Sequence, residues 1–199
     1  MIYDFSVITP SYNQGRFIER TIQSVLLQKN ITKEYVIHDG KSTDETLNIL
    51  QSYKDKLSFI SEKDNGQAHA INNGIKSTTG RFIAWINSDD IYYDDTFLIV
   101  KKTFDENPDV DLIYGNAYHI DEYDKFIEHY PVENWNPQTL QERCFICQPA
   151  TFFRRSTIHK YGYLDENLQF CMDYEFWLRL SIKKIKAIRI NKVLAGSRM

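Results

Sequence analysis

Neither of the two common glycine patterns that cradle phosphates occurs in this 199-residue chain. The absence of G-x-G-x-x-G excludes a dinucleotide fingerprint, and the absence of G-x-x-x-x-G-K-[ST] excludes a P-loop. A phosphate-bearing ligand would therefore be neutralised by a divalent cation held on acidic side chains. Long apolar runs are also missing: none approaches the ~18 residues of a membrane-spanning helix. The first strand pattern begins by Phe5, too early to leave room for a signal sequence. A soluble, cytoplasmic protein is expected. There is no internal repeat, low-complexity segment or linker, and a single domain over residues 1–199 is the economical expectation.

Cysteine is scarce and odd in number, with only Cys144, Cys147 and Cys171. Without an export signal, that implies free thiols. The Cys144–Cys147 spacing matches C-x-x-C, and His159 and Cys171 could complete a zinc set, but one such pair alone is a weak signal. Net positive charge is lacking as well: the balance is −3. All 27 acidic residues lie at or before Glu175, whereas Arg179, Lys183, Lys184, Lys186, Arg189, Lys192 and Arg198 make the end of the chain basic. The acidic body argues against nucleic acid as a partner. The basic end, interleaved with Ile182, Ile185, Ile188 and Ile190, suits two readings. One is peripheral contact with anionic headgroups at the inner face of a membrane; the other is a helix end followed by an edge strand with solvated lysines.

What is present is a globular composition, 42% apolar and 14% aromatic, with regular alternation in its first half. Residues 5–9, 35–38, 57–60, 82–86 and 112–114 read as short buried strands. The first ends where Pro10-Ser11-Tyr12-Asn13 breaks it. Between the strands, Ile18, Ile22, Val25 and Leu26 share one helical face, and residues 67–76 and 94–107 also read as helices. Ser42 and Glu45 have the spacing of a capping box opening a helix through Leu47 and Leu50. Such alternation predicts βαβ units and a largely parallel sheet. Alternation fades after residue 114, although residues 148–153 suit a strand and residues 173–181 a helix with Phe176, Trp177 and Leu180 inward.

Three strand ends present polar and acidic groups: Pro10 to Asn13, Asp39 to Ser42, and Asn87-Ser88-Asp89-Asp90. In a parallel sheet they emerge on one edge, where open α/β sheets hold ligands. A strand as apolar as residues 82–86 has no structural use for two following carboxylates. Asp89 and Asp90 therefore suit a divalent cation, or else cap a following helix. A tyrosine beside an acid, such as Tyr12 with Asp39, could hold a flat heterocycle by stacking and by accepting an N–H.

Five motifs, in this order and spacing, resemble the family 2 glycosyltransferases of the GT-A fold. They are Val7-Ile8-Thr9-Pro10-Ser11-Tyr12-Asn13, His38-Asp39-Gly40-Lys41-Ser42-Thr43-Asp44-Glu45-Thr46, Asp64-Asn65-Gly66-Gln67-Ala68-His69-Ala70-Ile71-Asn72, Trp85-Ile86-Asn87-Ser88-Asp89-Asp90 and Asp173-Tyr174-Glu175-Phe176-Trp177-Leu178-Arg179. The resemblance implies a Rossmann-like α/β domain with a mainly parallel central sheet flanked by helices. Residues 1–114 would bind the nucleotide-sugar, and residues 115–199 the acceptor. Pro10, Tyr12 and Asp39 match positions that hold the nucleobase, usually uracil, and Asp64 falls in a further nucleotide-binding motif. Asp89 matches the acid near the ribose, Asp90 the ligand of Mg²⁺ or Mn²⁺, and Asp173 the general base of inverting members; from its position alone Asp173 is equally an N-cap.

Some positions depart from the pattern. Asn87 stands where many relatives carry the first Asp of Asp-x-Asp, so cation binding is expected to lean on Asp89 and Asp90. Ile71 stands where many carry Arg. Relatives commonly continue past the equivalent of Met199, so the acceptor-binding half is expected to be incomplete at its C-terminal end. The expected activity is inverting transfer of a sugar from a nucleotide-diphosphate donor, UDP-linked first, to a carbohydrate or lipid-linked acceptor in polysaccharide or glycoconjugate assembly. A non-catalytic nucleotide-sugar or glycan-binding module is the alternative. A sugar-1-phosphate nucleotidyltransferase is disfavoured, because residues 10–16 offer only Gly15 and Arg16 for a triphosphate loop.

Overall fold

Alternation with period two sorts the first strand, β1 (Phe5–Ser11), between two cores. Phe5 and Val7 enter one apolar cluster and Ile8 enters the other, on the opposite face of the sheet. The computed structural model describes residues 3–199. After β1 come α1 (Ile18–Leu26), β2 (Lys33–Asp39), α2 (Thr46–Ser52), β3 (Ser58–Ser61), α3 (Gln67–Lys76) and β4 (Phe82–Trp85). The predicted α1 face is the buried one, with Ile18, Ile22 and Val25 inward. These first four strands run parallel in the order β3-β2-β1-β4. Order reverses between β1 and β4, which makes that edge a topological switch point.

The second half is mixed. It comprises β5 (Ile91–Tyr92), α4 (Thr96–Glu106), β6 (Leu112–Ile120), β7 (Phe126–His129), α5 (Pro137–Glu142), β8 (Thr151–Arg154), α6 (Arg155–Tyr161), α7 (Met172–Ile182) and β9 (Ala187–Arg198). The sheet continues β4-β8-β6-β9-β5, with β7 beside β6; β8 is antiparallel to both β4 and β6, while β9 runs parallel to β6. Aromatic stacking ties the halves together: Phe5 lies 4.6 Å from Phe97, and Phe82 lies 4.4 Å from Phe104, between ring centroids. Truncating such a buried ring to alanine costs about 3–5 kcal/mol. Among the described residues, no helix is long and apolar enough to cross a membrane.

Two local expectations are corrected and a third is qualified. Pro10 does not break β1, which pairs with β2 through Ser11; pairing with β4 ends at Ile8, so the missing N–H of Pro10 meets no ladder on that side. Ser42 does not form a capping box, because its hydroxyl is turned to Asp39 and α2 begins only at Thr46. The basic end of the chain is an edge strand only in part: β9 pairs with β6 along its length but with β5 only at Ala195 and Gly196, so the stretch carrying Arg189 and Lys192 keeps one open side, while Leu194 and Ala195 are buried. Lys186 pairs with Asp109 and Arg189 with Asn116, while Lys183, Lys184 and Lys192 are exposed, as solvated lysines would be. Of the three cysteines, all free, Cys144 is half-buried, Cys147 is buried and Cys171 is exposed, and among the described residues no three His, Cys, Asp or Glu side chains converge as a metal cage.

Candidate active site

The loops at the C-terminal ends of the parallel strands are laced together before any ligand is considered. After β1, the backbone N–H of Asn13 donates to Ser42 Oγ at 2.8 Å, and the N–H of Thr43 donates back to Asn13 Oδ1 at 2.9 Å. The N–H of Gly15 reaches Asp44 Oδ2 at 2.9 Å. This lacing fixes the platform on which Tyr12 stands, 62% exposed, beside Gly40. A Cβ on Gly40 would lie 3.4 Å from the Tyr12 ring and 3.1 Å from Asp64 Oδ2. A side chain there would crowd the tip of Asp64, so glycine leaves the ring and the acid room to approach each other over that backbone.

These groups border a cavity of about 460 Å³ at the switch point. Pro10, Ser11, Tyr12 and Gln14 line it from the β1 loop; Asp64, Gly66, Gln67 and Ala70 line it from the start of α3; and Asn87, Ser88 and Asp89 line it from the end of β4. Of the residues anticipated from sequence, Pro10, Tyr12, Asp64 and Asp89 share this cavity. Ser11 Oγ is buried and has no hydrogen-bond partner, which leaves a polar atom available at the cavity floor.

Asp39 lies beneath the cavity, not on its wall. It is 2% exposed and accepts from Ser42 N–H at 2.9 Å, from Ser42 Oγ, and from Ser61 Oγ at 2.6 Å. Three donors occupy most of a carboxylate's acceptor capacity. Its place in the structure is to tie the ends of β2 and β3 under Gly40.

Of the adjacent carboxylates Asp89 and Asp90, only Asp89 lines the cavity. Asp89 is half-buried and faces the cavity. Burial pushes its carboxyl above the usual carboxylate range, opposed by its own backbone N–H and by the Arg198 guanidinium. Asp90 is 3% exposed and accepts from the backbone N–H of Arg198 at 2.8 Å, on the protein side of the turn. Burial, and then the charge of Asp89, push it up to about 8. Asp90 therefore does not present its carboxylate to the cavity, contrary to the sequence expectation. Neither acid caps a helix, because β5 intervenes and α4 is preceded by Asp95.

The donor set available for a divalent cation is thus Asp89, with the side chains of Asn87 and Ser88 beside it. That fits a hard cation that takes one or two protein oxygens and completes its shell with phosphate oxygens and water. Asn87 is held for this position, accepting at Oδ1 from Gln67 Nε2 at 2.7 Å and Trp85 Nε1 at 3.2 Å.

Asp173 sits in the first turn of α7, past the cap residue Cys171, so it is not the N-cap. Burial raises its pKa, partly offset by backbone N–H groups at the helix start. It lies outside the cavity lining, near Tyr130 and Cys144; both are raised by burial first, with the Asp173 charge adding to the shift. The segment before α7 reaches the cavity rim: Gln169 lies 3.4 Å from where a Gly66 Cβ would stand. Gly66 has φ +108°, a conformation that favours glycine. Sequence reasoning missed Gln67, Gln169 and Arg198. Gln67 lay within a motif already singled out, whereas the other two carried no spacing signal.

Residues 6–184 match the family model described as glycosyl transferase family 2. A chondroitin synthase of Escherichia coli is 29% identical over 201 residues, covering 96% of this chain and 29% of that protein. An uncharacterized glycosyltransferase of Rickettsia conorii is 30% identical over 194 residues, covering 88% of this chain and 31% of that one. The chain thus spans less than a third of the length of either curated relative. The crystal structure of S. aureus TarS 1-349 in complex with UDP-GlcNAc superposes with a TM-score of 0.78 at 20% identity, over 98% of this chain and 58% of that one. A mannosyltransferase from Pyrobaculum calidifontis, in complex with GDP-Man and Mn²⁺, gives 0.73 at 18% identity, over 99% of this chain and 57% of that one. The structural likenesses establish a GT-A type fold, and the match over residues 6–184 shows that the chain belongs to glycosyl transferase family 2.

Proposed function

We propose that this domain is an inverting, metal-dependent glycosyltransferase that takes its sugar from a nucleotide-diphosphate donor, a UDP-sugar in the first instance. The observation that carries the reading is the meeting of Tyr12, Asp64 and Asp89, from three different loops, around one cavity at the switch point of the sheet. Its volume, about 460 Å³, falls within the usual range of small-molecule sites. The UDP-GlcNAc complex of TarS 1-349 and the GDP-Man and Mn²⁺ complex of the Pyrobaculum calidifontis mannosyltransferase support the same ligand class.

In this reading the exposed Tyr12 ring stacks on the base, and Asp64 accepts an N–H or O–H from the nucleoside. Asp39 supports them from below by holding the β2 and β3 ends in place. Asp89 holds Mg²⁺ or Mn²⁺, which when bound supplies Lewis-acid neutralisation of the charge that builds on the leaving diphosphate. Asp173 takes the proton of the acceptor hydroxyl; its raised pKa makes it a stronger base than an exposed aspartate, and such a base contributes about 10²–10⁴-fold. Attack from the side opposite the diphosphate inverts the anomeric centre.

The acceptor is a carbohydrate or a lipid-linked saccharide, and the chondroitin synthase relative favours a polysaccharide product. Incubation with UDP-, GDP- and dTDP-sugars and Mn²⁺, scored for thermal stabilisation and for nucleotide release, tests the reading. Stabilisation with release of UDP is expected. Stabilisation by a donor without release in the presence of a saccharide acceptor panel would make the domain a binding module.

A further inference from the structure

Arg198, at the end of β9, is far from the motifs in sequence yet joins them in space. Its side chain is 3% exposed. Nε donates to the backbone carbonyl of Asp89 at 2.7 Å, while its own backbone N–H donates to Asp90 Oδ1 at 2.8 Å. The remaining guanidinium nitrogens reach the Asp121 carbonyl and the Asp124 carboxylate, in the turn between β6 and β7. The guanidinium lies 4.8 Å from the centroid of the Phe17 ring, just before α1, and Asp124 is also paired with Arg20 of α1 at 3.1 Å. One planar fork therefore spans three separately built segments, which a lysine's single ammonium cannot do.

We propose that Arg198 is a positioning residue for Asp89: it locks the backbone of the turn at residues 87–90 against the β6–β7 turn and α1, and so fixes where the Asp89 carboxylate enters the cavity. The inference rests on the reading of Asp89 as the cation ligand. Asp89 lies in a turn, not in a strand ladder, so the placement of its carboxylate is inherited from its backbone. Asp90 and Arg198 hold that backbone by two bonds from the protein side. Groups that orient a metal ligand from behind it typically change metal affinity about 10–100-fold when removed.

A residue that only stabilised the fold would lower the melting temperature and the amount of active protein, leaving the Mn²⁺ requirement of the surviving molecules unchanged. The test therefore measures, on the full chain, the Mn²⁺ concentration for half-maximal UDP binding by calorimetry, with the metal-free melting temperature alongside. Arg198→Lys is expected to raise that concentration about 10-fold or more, while binding at saturating Mn²⁺ is retained. Asp124→Asn, which leaves Arg198 in place but removes one of its anchors, is expected to shift it in the same direction by a smaller factor. Should Arg198→Lys fail to fold, Asp124→Asn decides. Wild-type Mn²⁺ requirements in the folded variants would overturn the inference while leaving the site reading intact. Absence of Mn²⁺-dependent UDP binding by the wild type would overturn the site reading, and the inference with it.

Discussion

The side-chain amide of Gln67 donates to Asn87 Oδ1 at 2.7 Å, joining the start of α3 to the end of β4 across the cavity wall. Trp85 Nε1 donates to the same oxygen at 3.2 Å. Position 87 is thus already furnished with two donors that would suit a carboxylate. Asn87→Asp should tighten the Mn²⁺ requirement roughly five- to tenfold, because added ligand charge strengthens a hard-cation site. Without metal the same variant should melt lower, since the new carboxylate then repels that of Asp89. Calorimetric Mn²⁺ titration and metal-free thermal unfolding together check both halves.

Asp39 is predicted to matter for stability before it matters for binding. Asp39→Asn turns one acceptor oxygen into a donor facing Ser42 or Ser61, and hydrogen bonds to charged groups are worth about 1.5–3 kcal/mol each. A loss of about 2–4 kcal/mol in urea unfolding is expected. Ser61→Ala, which removes one donor, should lose roughly 1–2 kcal/mol.

The raised pKa of Asp90 makes a signed pH prediction. With the folded-state value pushed up to about 8, the folded protein keeps a proton that the unfolded chain releases near the ordinary aspartate value. The contribution of Asp90 to stability is then full below that ordinary value and is lost as the pH rises towards 8. In metal-free buffer, Asp90→Asn should flatten this decline and melt higher than wild type at pH 8, with little difference near pH 4. Melting temperatures across that range provide the check.

Asp173→Asn should leave UDP binding within about twofold of wild type and reduce transfer by about 10²–10⁴-fold. Because burial raises the Asp173 pKa, the acid limb of the wild-type transfer profile should lie above that of an ordinary aspartate. Steady-state kinetics against pH, with calorimetry for UDP, separates the two effects.

The first half of the fold was legible in the sequence because its strands are short apolar runs separated by amphipathic helices, as at Phe5, Ile22 and Phe82. The interior end of β9 was not: Lys192 is exposed as it reads, but pairing with β6 on one side and with β5 at Ala195 and Gly196 on the other buries Leu194. In the candidate site, two of the three strand-end clusters, at residues 10–13 and 87–90, contribute to one cavity. Clustering did not say which of two neighbours faces the cavity. Asp89 and Asp90 are adjacent in a turn, yet Asp89 lines the cavity while Asp90 is buried and accepts from the Arg198 backbone, more than a hundred residues away. Asp39 looked like a binding acid because its partners, Ser42 and Ser61, become visible only once β2 and β3 lie side by side.

The most direct test of the account is a calorimetric titration of UDP in the presence of Mn²⁺ into wild type, Tyr12→Ala and Asp89→Asn. Tyr12 is largely exposed, so its loss should leave the fold intact and weaken UDP about 10–100-fold, the usual worth of stacking on a base. Asp89→Asn should abolish the Mn²⁺ dependence. Equal, metal-dependent affinities in all three proteins would contradict the assignment of this cavity to a nucleotide diphosphate and its cation.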